Sequence, residues 1–389
     1  MFKVLTLNNI SITGLERLPR ENYEVASEVQ HPDAVLVRSF KMHDWDVPDT
    51  LQAIGRAGAG VNNIPVDDMT TRGIPVFNAP GANSNAVQEL VLTGMLLSAR
   101  NICQAWDFSR GVEGSDAEIT KQVEAGKKNF VGFELPGKTI GVVGLGAIGI
   151  KVANTAIALG MRVVGFDPKI TVQAAWQLSH QVEHAGSIDD LLSQCDFVTF
   201  HVPLMDATRN MINADRLINM RDNVTILNFS RAGIVDDEAV VRALNSGKVQ
   251  AYICDFPSNL LKTSPKVITL PHLGASTAEA EENCAIMVAE QVKDYLENGN
   301  ISNAVNFPTI KMAKTPGQHR LTIAHKNMPN IIGPITNAIA KAEINIIDML
   351  NKSLNEAAYT LIDIEAKLPQ VVIDEINAID GVLNVRCLK

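Results

Sequence analysis

The stretch Lys138-Thr-Ile-Gly-Val-Val-Gly144-Leu-Gly146-Ala147-Ile148-Gly149, followed at a short interval by Phe166-Asp167-Pro168, holds the most legible chemistry in this chain. An apolar β-branched run enters a glycine turn, an alanine-rich helical run leaves it, and a second apolar run over 162–166 ends at an acid. That is the layout of a dinucleotide site. Gly144 permits the tight turn, Gly146 lets the backbone approach a pyrophosphate, and Gly149 lets the helix pack closely on the strand. The helix N-terminus at Ala147 and Ile148 receives the pyrophosphate. Asp167 accepts hydrogen bonds from the adenosine ribose hydroxyls and repels a 2′-phosphate, which favours NAD over NADP.

Six strand-like runs, 139–143, 162–166, 197–200, 224–228, 251–254 and 267–270, alternate with helical stretches and predict a doubly wound parallel sheet with its crevice at the C-terminal strand ends. The residues just past those runs include Gly144, Asp167, His201, Ser230-Arg231, Asp255 and His272. Arg231 precedes a helix that Asp236 caps and Gly247 stops. Its planar fork suits a carboxylate; the plainer reading is a surface arginine paired with Asp236 or Asp237. His272 lies in Pro271-His-Leu-Gly-Ala-Ser-Thr277. Reducing a carbonyl with a nicotinamide hydride leaves an alkoxide that needs a proton from a near-neutral donor; the plainer reading is a histidine capping a helix. His201, Val202, Pro203 and Ser230 are assigned to the cofactor pocket. No HExxH or GxSxG pattern is present, and neither a metal site nor serine-hydrolase chemistry is expected.

A chain of 389 residues is long enough for two or three domains, and 46% apolar with 20% charged residues is ordinary for a globular α/β protein. The net charge of −9 argues against a nucleic-acid or acidic-membrane surface. Five cysteines without a CxxC pair fit free thiols in a reducing cytoplasm. The first residues run straight into a strand pattern without a signal peptide, and no apolar run is long enough to span a membrane. Residues 1–95 alternate short apolar runs with helical stretches, ending in a helix over 85–99. Within them Val37-Arg38-Ser39 and Arg56-Ala-Gly58-Ala59-Gly60-Val-Asn62-Asn63 follow apolar runs, and a glycine loop beside arginines can hold a small anion; ordinary surface salt bridges are the alternative. Residues 101–136 read as a polar connection, 275–298 as a long helix returning to the first domain, and 310–317 as a linker. Runs at 320–324, 329–342, 344–350, 359–365, 371–379 and 382–387 read as βαββαβ, a ferredoxin-like plait. The fold class expected is α/β, with two doubly wound Rossmann-like lobes and this C-terminal plait.

Arg56-Ala-Gly-Ala-Gly-Val-Asn-Asn, Gly144-Leu-Gly-Ala-Ile-Gly, Asn228-Phe-Ser-Arg-Ala-Gly-Ile-Val-Asp and Pro271-His-Leu-Gly-Ala-Ser-Thr, in that order, resemble the D-2-hydroxyacid dehydrogenases, and more narrowly the D-3-phosphoglycerate dehydrogenases of serine biosynthesis. The resemblance covers nearly the whole chain. It implies a substrate-binding domain over 1–95 and 285–308, an NAD-binding Rossmann domain over 96–284 and a regulatory domain over 318–389. It implies oxidation of the C2 hydroxyl of D-3-phosphoglycerate to 3-phosphohydroxypyruvate. Arg231 then looks like the substrate-binding catalytic arginine and His272 like the acid/base. Arg38 and Arg56, with Ser39, Gly58, Ala59, Gly60 and Asn62, look like the anion grip, and Asp255 like the acid near the nicotinamide amide. One departure stands out: the family's glutamate beyond the Asp255 position, which pairs with the histidine, has no counterpart here, and Asp255 is the candidate substitute. The plait resembles an ACT domain. His325, Asn327 and Asn345 match positions that bind L-serine across paired ACT domains, which implies a homodimer or homotetramer; Asn330 stands where the family often has glycine. The rival readings are a relative acting on 2-oxoglutarate, hydroxypyruvate or glyoxylate, an NAD(H)-sensing corepressor, and an enzyme inactivated by the missing glutamate.

Overall fold

The computed structural model describes residues 1–315 and 317–388; Pro316, within the expected linker, and Lys389, the last residue of the expected regulatory domain, lie outside the described residues. Two compact units emerge, Met1–Asn83 with Ala278–Lys389, and Ser84–Thr277.

In the first unit β1 (Phe2–Leu7), β2 (Tyr23–Ala26), β3 (Ala34–Val37), β4 (Ala53–Arg56) and β5 (Val76–Phe77) form an all-parallel sheet in the order β2-β1-β3-β4-β5. All four residues of β3 are buried, the continuous apolar run of a strand covered on both faces. The order reverses between β1 and β3, so a crevice opens beyond their C-terminal ends. The expected long helix spans Ala278–Asn298 and lays Cys284, Val288, Val292 and Tyr295 against Val4, Leu36 and Phe77. That stripe repeats every three to four residues, as a helix buried along one face requires. Gly14 makes the approach possible, since a Cβ there would stand 2.5 Å from the Ala285 Cβ.

The second unit holds β6 (Thr139–Val143), β7 (Arg162–Phe166), β8 (Glu183–His184), β9 (Phe197–Phe200), β10 (Val224–Asn228), β11 (Val249–Cys254) and β12 (Val267–Thr269). They are all parallel, in the order β12-β11-β10-β9-β6-β7-β8. The six expected runs are strands; β8 is a seventh, two exposed polar residues with no apolar pattern to reveal them. The helix expected over 85–99 spans Ser84–Ala99 and buries Val87, Val91 and Met95 with Ile140 and Val142 of β6. The boundaries at 95 and 285 therefore fall inside helices, while the units part at the helix starts, because each helix stays with the sheet it buries. The connection over 101–136 contains the helices Ile102–Gly111 and Asp116–Gly126. The second starts at a capping box of Ser115 and Glu118, and the first has no buried residue, leaving Ile102 and Trp106 exposed.

The C-terminal part of the first unit is a smaller antiparallel sheet of β13 (His319–Lys326), β14 (Ile346–Leu354), β15 (Ala357–Ile364) and β16 (Val382–Leu388), in the order β14-β15-β13-β16. Its helices Ile332–Lys341 and Gln370–Asn377 cover one face through Ile335, Ile339 and Ile376. The other face joins the β1–β5 core through Ala324, Tyr359 and Leu361. The segment read as a linker is anchored as well: Ile310 bridges Ile301 and is fully buried. Arg320, also fully buried, grips Asp363 at 2.7 and 2.8 Å and donates to the carbonyls of Asn298, Met312 and Ala313. No described helix is long and apolar enough to cross a membrane.

Candidate active site

In the second unit the sheet reverses between β9 and β6, and the glycine turn sits there. Gly144 has φ 91°, and a Cβ on it would lie 2.5 Å from the His201 carbonyl oxygen. A Cβ on Gly149 would lie 1.8 Å from the Gly144 carbonyl oxygen, so the helix Ala147–Ala158 seats directly on the turn. Gly146 is different: nothing stands within 4 Å of its missing Cβ. Two glycines are required by the protein's own packing; the third leaves open the space a pyrophosphate would fill, so the turn fits a dinucleotide. Asp167 closes the turn, its two oxygens accepting from the amides of Leu145 and Lys169 at 2.8 Å each.

His201, Val202, Pro203 and Ser230 come together. Ser230 Oγ donates to the Val202 carbonyl at 2.6 Å, and Thr208 Oγ1 donates to that of Pro203. His201 Nε2 bonds Thr199 Oγ1 at 3.1 Å, while Nδ1 is enclosed without a partner among the described residues. Burial pushes the His201 pKa down to about 3, so its ring is neutral at physiological pH.

Arg231 is exposed, and among the described residues it has no ion-pair partner. Its Nη1 reaches only the Ser230 carbonyl, at 2.7 Å. The surface-pair reading fails because the two acids are engaged elsewhere: Asp236 caps the helix Asp237–Ser246 through the Ala239 amide, and Asp237 accepts from Ser258. His272 is exposed beyond β12, with the Phe256 ring edge-on to it at a centroid distance of 5.1 Å. Asp255, just past β11, is 1% exposed, and among the described residues neither of its oxygens has a hydrogen-bond partner. Burial pushes its pKa up, against the opposing pull of His272 and the Gly274 and Leu273 amides. The acid expected to serve His272 thus lies within its electrostatic reach, without a direct hydrogen bond.

The first unit carries its own cluster at the β1/β3 crevice. Asn8, Asn9, Arg38 and Ser39 line a cavity of about 400 Å³. Asn8, with φ 71°, accepts from the Ser39 and Phe40 amides through Oδ1. Arg56 lies over Gly58, where a Cβ would collide with Nη1 at 1.6 Å. Asn78 donates to the Ala59 carbonyl; Gly60 is half-buried and Asn62 exposed on the same loop. Arg38 pairs with Glu281. Burial pushes the Cys284 thiol up, with Arg56 and Arg38 as opposing charges, and the Arg38–Glu281 pair ties β3 to the first turn of the helix Ala278–Asn298. Asn8 obeys the same strand-end rule as Arg38 and was findable; Glu281 and Cys284 were not, because only the fold carries residues this far along the chain to β3.

The three effector candidates do not meet within one chain. His325 is buried, with Nδ1 on the Lys326 carbonyl at 2.9 Å and Nε2 on Thr360 Oγ1 at 2.9 Å and Asn351 Oδ1 at 3.3 Å. Asn327 is exposed and donates to the Asn355 carbonyl. His325 pairs with Ala358 at one end of β15, whereas Asn345 bonds Glu365 beyond the other end, about 20 Å away at strand spacing. Asn330 adopts φ 63°, which asparagine tolerates where the family often has glycine. Among the described residues no cluster of three or more histidines, cysteines or acids is placed to hold a metal.

Residues 102–274 match the family of D-isomer specific 2-hydroxyacid dehydrogenases, NAD binding domain. The chain is 36% identical to a D-3-phosphoglycerate dehydrogenase of Methanocaldococcus jannaschii, over 84% of this chain and 61% of that one. It is 32% identical to a D-3-phosphoglycerate dehydrogenase of Haemophilus influenzae, over 87% and 81% respectively. The chain thus spans less than two thirds of the archaeal relative. Among solved structures, the NAD+-bound 3-phosphoglycerate dehydrogenase of Entamoeba histolytica superposes with TM-score 0.60 at 25% identity, over 78% of this chain and 98% of that one.

Proposed function

Because the chain belongs to the D-isomer specific 2-hydroxyacid dehydrogenases, an NAD-dependent family, we propose that it oxidises a D-2-hydroxy acid to the 2-oxo acid, with D-3-phosphoglycerate as substrate and 3-phosphohydroxypyruvate as product. The observation that carries the reaction is the pairing, in one unit, of a guanidinium at a strand end that makes no ion pair among the described residues with a histidine in the field of a buried carboxylate.

Gly144, Gly146, Gly149, Asp167 and the His201–Pro203 segment hold NAD, which when bound supplies the hydride acceptor. Arg231 grips the substrate carboxylate with its fork and polarises the C2 oxygen. His272 takes the hydroxyl proton, and in the reverse direction returns it to the alkoxide. Asp255 stabilises the imidazolium so formed. Arg38, Arg56, Ser39 and the Gly58–Asn62 loop hold the distal phosphate; two arginines in one crevice and the printed names of the relatives support that choice over glyoxylate.

We assign substrate binding to the β1–β5 sheet, cofactor binding to β6–β12, and regulation to β13–β16, read as a ferredoxin-like ACT domain from its strand order. An L-serine site there takes Asn327 of one copy and Asn345 of another, since one chain cannot join them, so a homodimer or homotetramer in the cytoplasm is the working form.

Asp255→Asn separates activity from stability. Burial raises the Asp255 pKa in the folded state, so its contribution to stability is full below the unfolded carboxylate range and lost as pH rises through the folded value. Asparagine removes the charge that burial disfavours, so the variant is expected to unfold at a Tm no lower than the parent's. The same change should lower kcat by about 10²-fold. Thermal unfolding and steady-state rates at pH 7 check both; an unchanged kcat removes Asp255 from the mechanism. The substrate assignment is tested by NADH oxidation with 3-phosphohydroxypyruvate, 2-oxoglutarate and glyoxylate, with and without L-serine. Turnover of the phosphorylated acid above the other two supports it, and preference for either rival overturns it.

A further inference from the structure

The anion seat of the first unit already contains a carboxylate. Arg38 projects from the end of β3, at the crevice where the strand order reverses, and lines the open cavity with Asn8, Asn9 and Ser39. One of its terminal nitrogens bonds the Oε1 of Glu281, a first-turn residue of the helix Ala278–Asn298. The pair is not sealed: the two side chains are 36% and 41% exposed. A contact this open is held weakly, since solvent screens it and both long side chains lose freedom in making it. The neighbouring Arg56 lies on the glycine loop and also senses Cys284, one turn beyond Glu281. Among the described residues Arg38, Arg56 and the Glu281 carboxylate thus share this region, at a crevice where parallel sheets bind their ligands.

We propose that Glu281 is a specificity-determining residue, whose carboxylate occupies Arg38 until the distal anion of the substrate replaces it. The proposal rests on the assignment of Arg38 to substrate binding. Its physical content is competition between like charges. An incoming phosphate or carboxylate bonds the same guanidinium edge that Glu281 bonds, and Glu281 must swing into solvent, which its exposure permits. A distal group with two negative charges meets more repulsion from the displaced carboxylate than a group with one, so Glu281 trims the advantage of a dianion that two arginines alone would give. A substrate with no distal anion leaves the Arg38–Glu281 pair in place and is indifferent to it.

The test is Glu281→Gln, which keeps an oxygen for Arg38 and removes the charge, compared with Arg38→Gln and the double variant. KM is measured with 3-phosphohydroxypyruvate, 2-oxoglutarate and glyoxylate. Glu281→Gln is expected to lower KM for the phosphorylated acid by about tenfold, less for 2-oxoglutarate and not at all for glyoxylate. In the Arg38→Gln background the same change should have at most a small residual effect. An equal shift for all three substrates, or a rise in KM for the phosphorylated acid, overturns the proposal and leaves Glu281 as a residue that merely positions Arg38. Failure of the underlying assignment reads differently: Arg38→Gln then leaves the KM of every substrate unmoved. The salt dependence of KM gives a second readout, because removing the competing charge should steepen it for the dianion.

Discussion

Arg231→Ala is expected to lower kcat/KM by roughly 10³- to 10⁴-fold while NADH binding, followed by fluorescence titration, stays close to the parent value. The side chain makes no ion pair among the described residues and donates to the carbonyl of its own neighbour, so its removal disturbs little of the fold. What is lost is a permanently charged planar donor at the C-terminal end of β10, where carboxylate binding and polarisation of the C2 oxygen are assigned to it. Arg231→Lys should recover only part of the loss, because a point charge cannot reproduce two parallel hydrogen bonds. Equal activity of the lysine variant and the parent would show that charge alone matters, and a loss of NADH binding in the alanine variant would move Arg231 to the cofactor.

Arg320→Ala should destabilise the first unit by about 3–5 kcal/mol, the cost of leaving a buried partner charge uncompensated. Asp363 is 2% exposed, and two of its hydrogen bonds come from Arg320. Three backbone carbonyls of 298–313 lose their donor in the same substitution, so the segment joining the antiparallel sheet to the β1–β5 core loosens with it. The double variant Arg320→Met with Asp363→Leu removes both charges and should recover most of the stability. Denaturant unfolding followed by two probes, one reporting on each unit, reads this without assuming a single transition. A single-variant loss below about 1 kcal/mol would show that the pair is solvated in solution.

The parts of this fold legible in the sequence are those whose signal is local. The run Ile140 to Val143 could only be a buried strand, and the glycine turn after it, the Asp236 cap and the Gly247 stop each obey a rule that spans a few residues. Because strand ends in a parallel sheet mark its crevice, Gly144, Arg231, Asp255 and His272 could be named as well. What stayed hidden needed distance. Arg320 begins a strand and looks like any surface cation until Asp363 on β15 and the carbonyls of 298–313 enclose it. Glu281 sits in an acidic first turn that reads as ordinary helix chemistry, and only the return of that helix to β3 places it on Arg38. The helix Ile102–Gly111 lies within a stretch read as a polar connection, and it buries nothing in this chain.

The proposed reaction is direct hydride transfer between nicotinamide and C2 of a 2-oxo acid. The measurement that tests it most directly incubates the protein with NADH deuterated at C4 of the nicotinamide and 3-phosphohydroxypyruvate, and follows the deuterium. Appearance of the label at C2 of a D-configured product, abolished in Arg231→Ala and His272→Gln, is the expected result. Bound NADH that keeps its deuterium with every 2-oxo acid offered would contradict the claim and leave a nicotinamide-binding protein that does not catalyse the transfer.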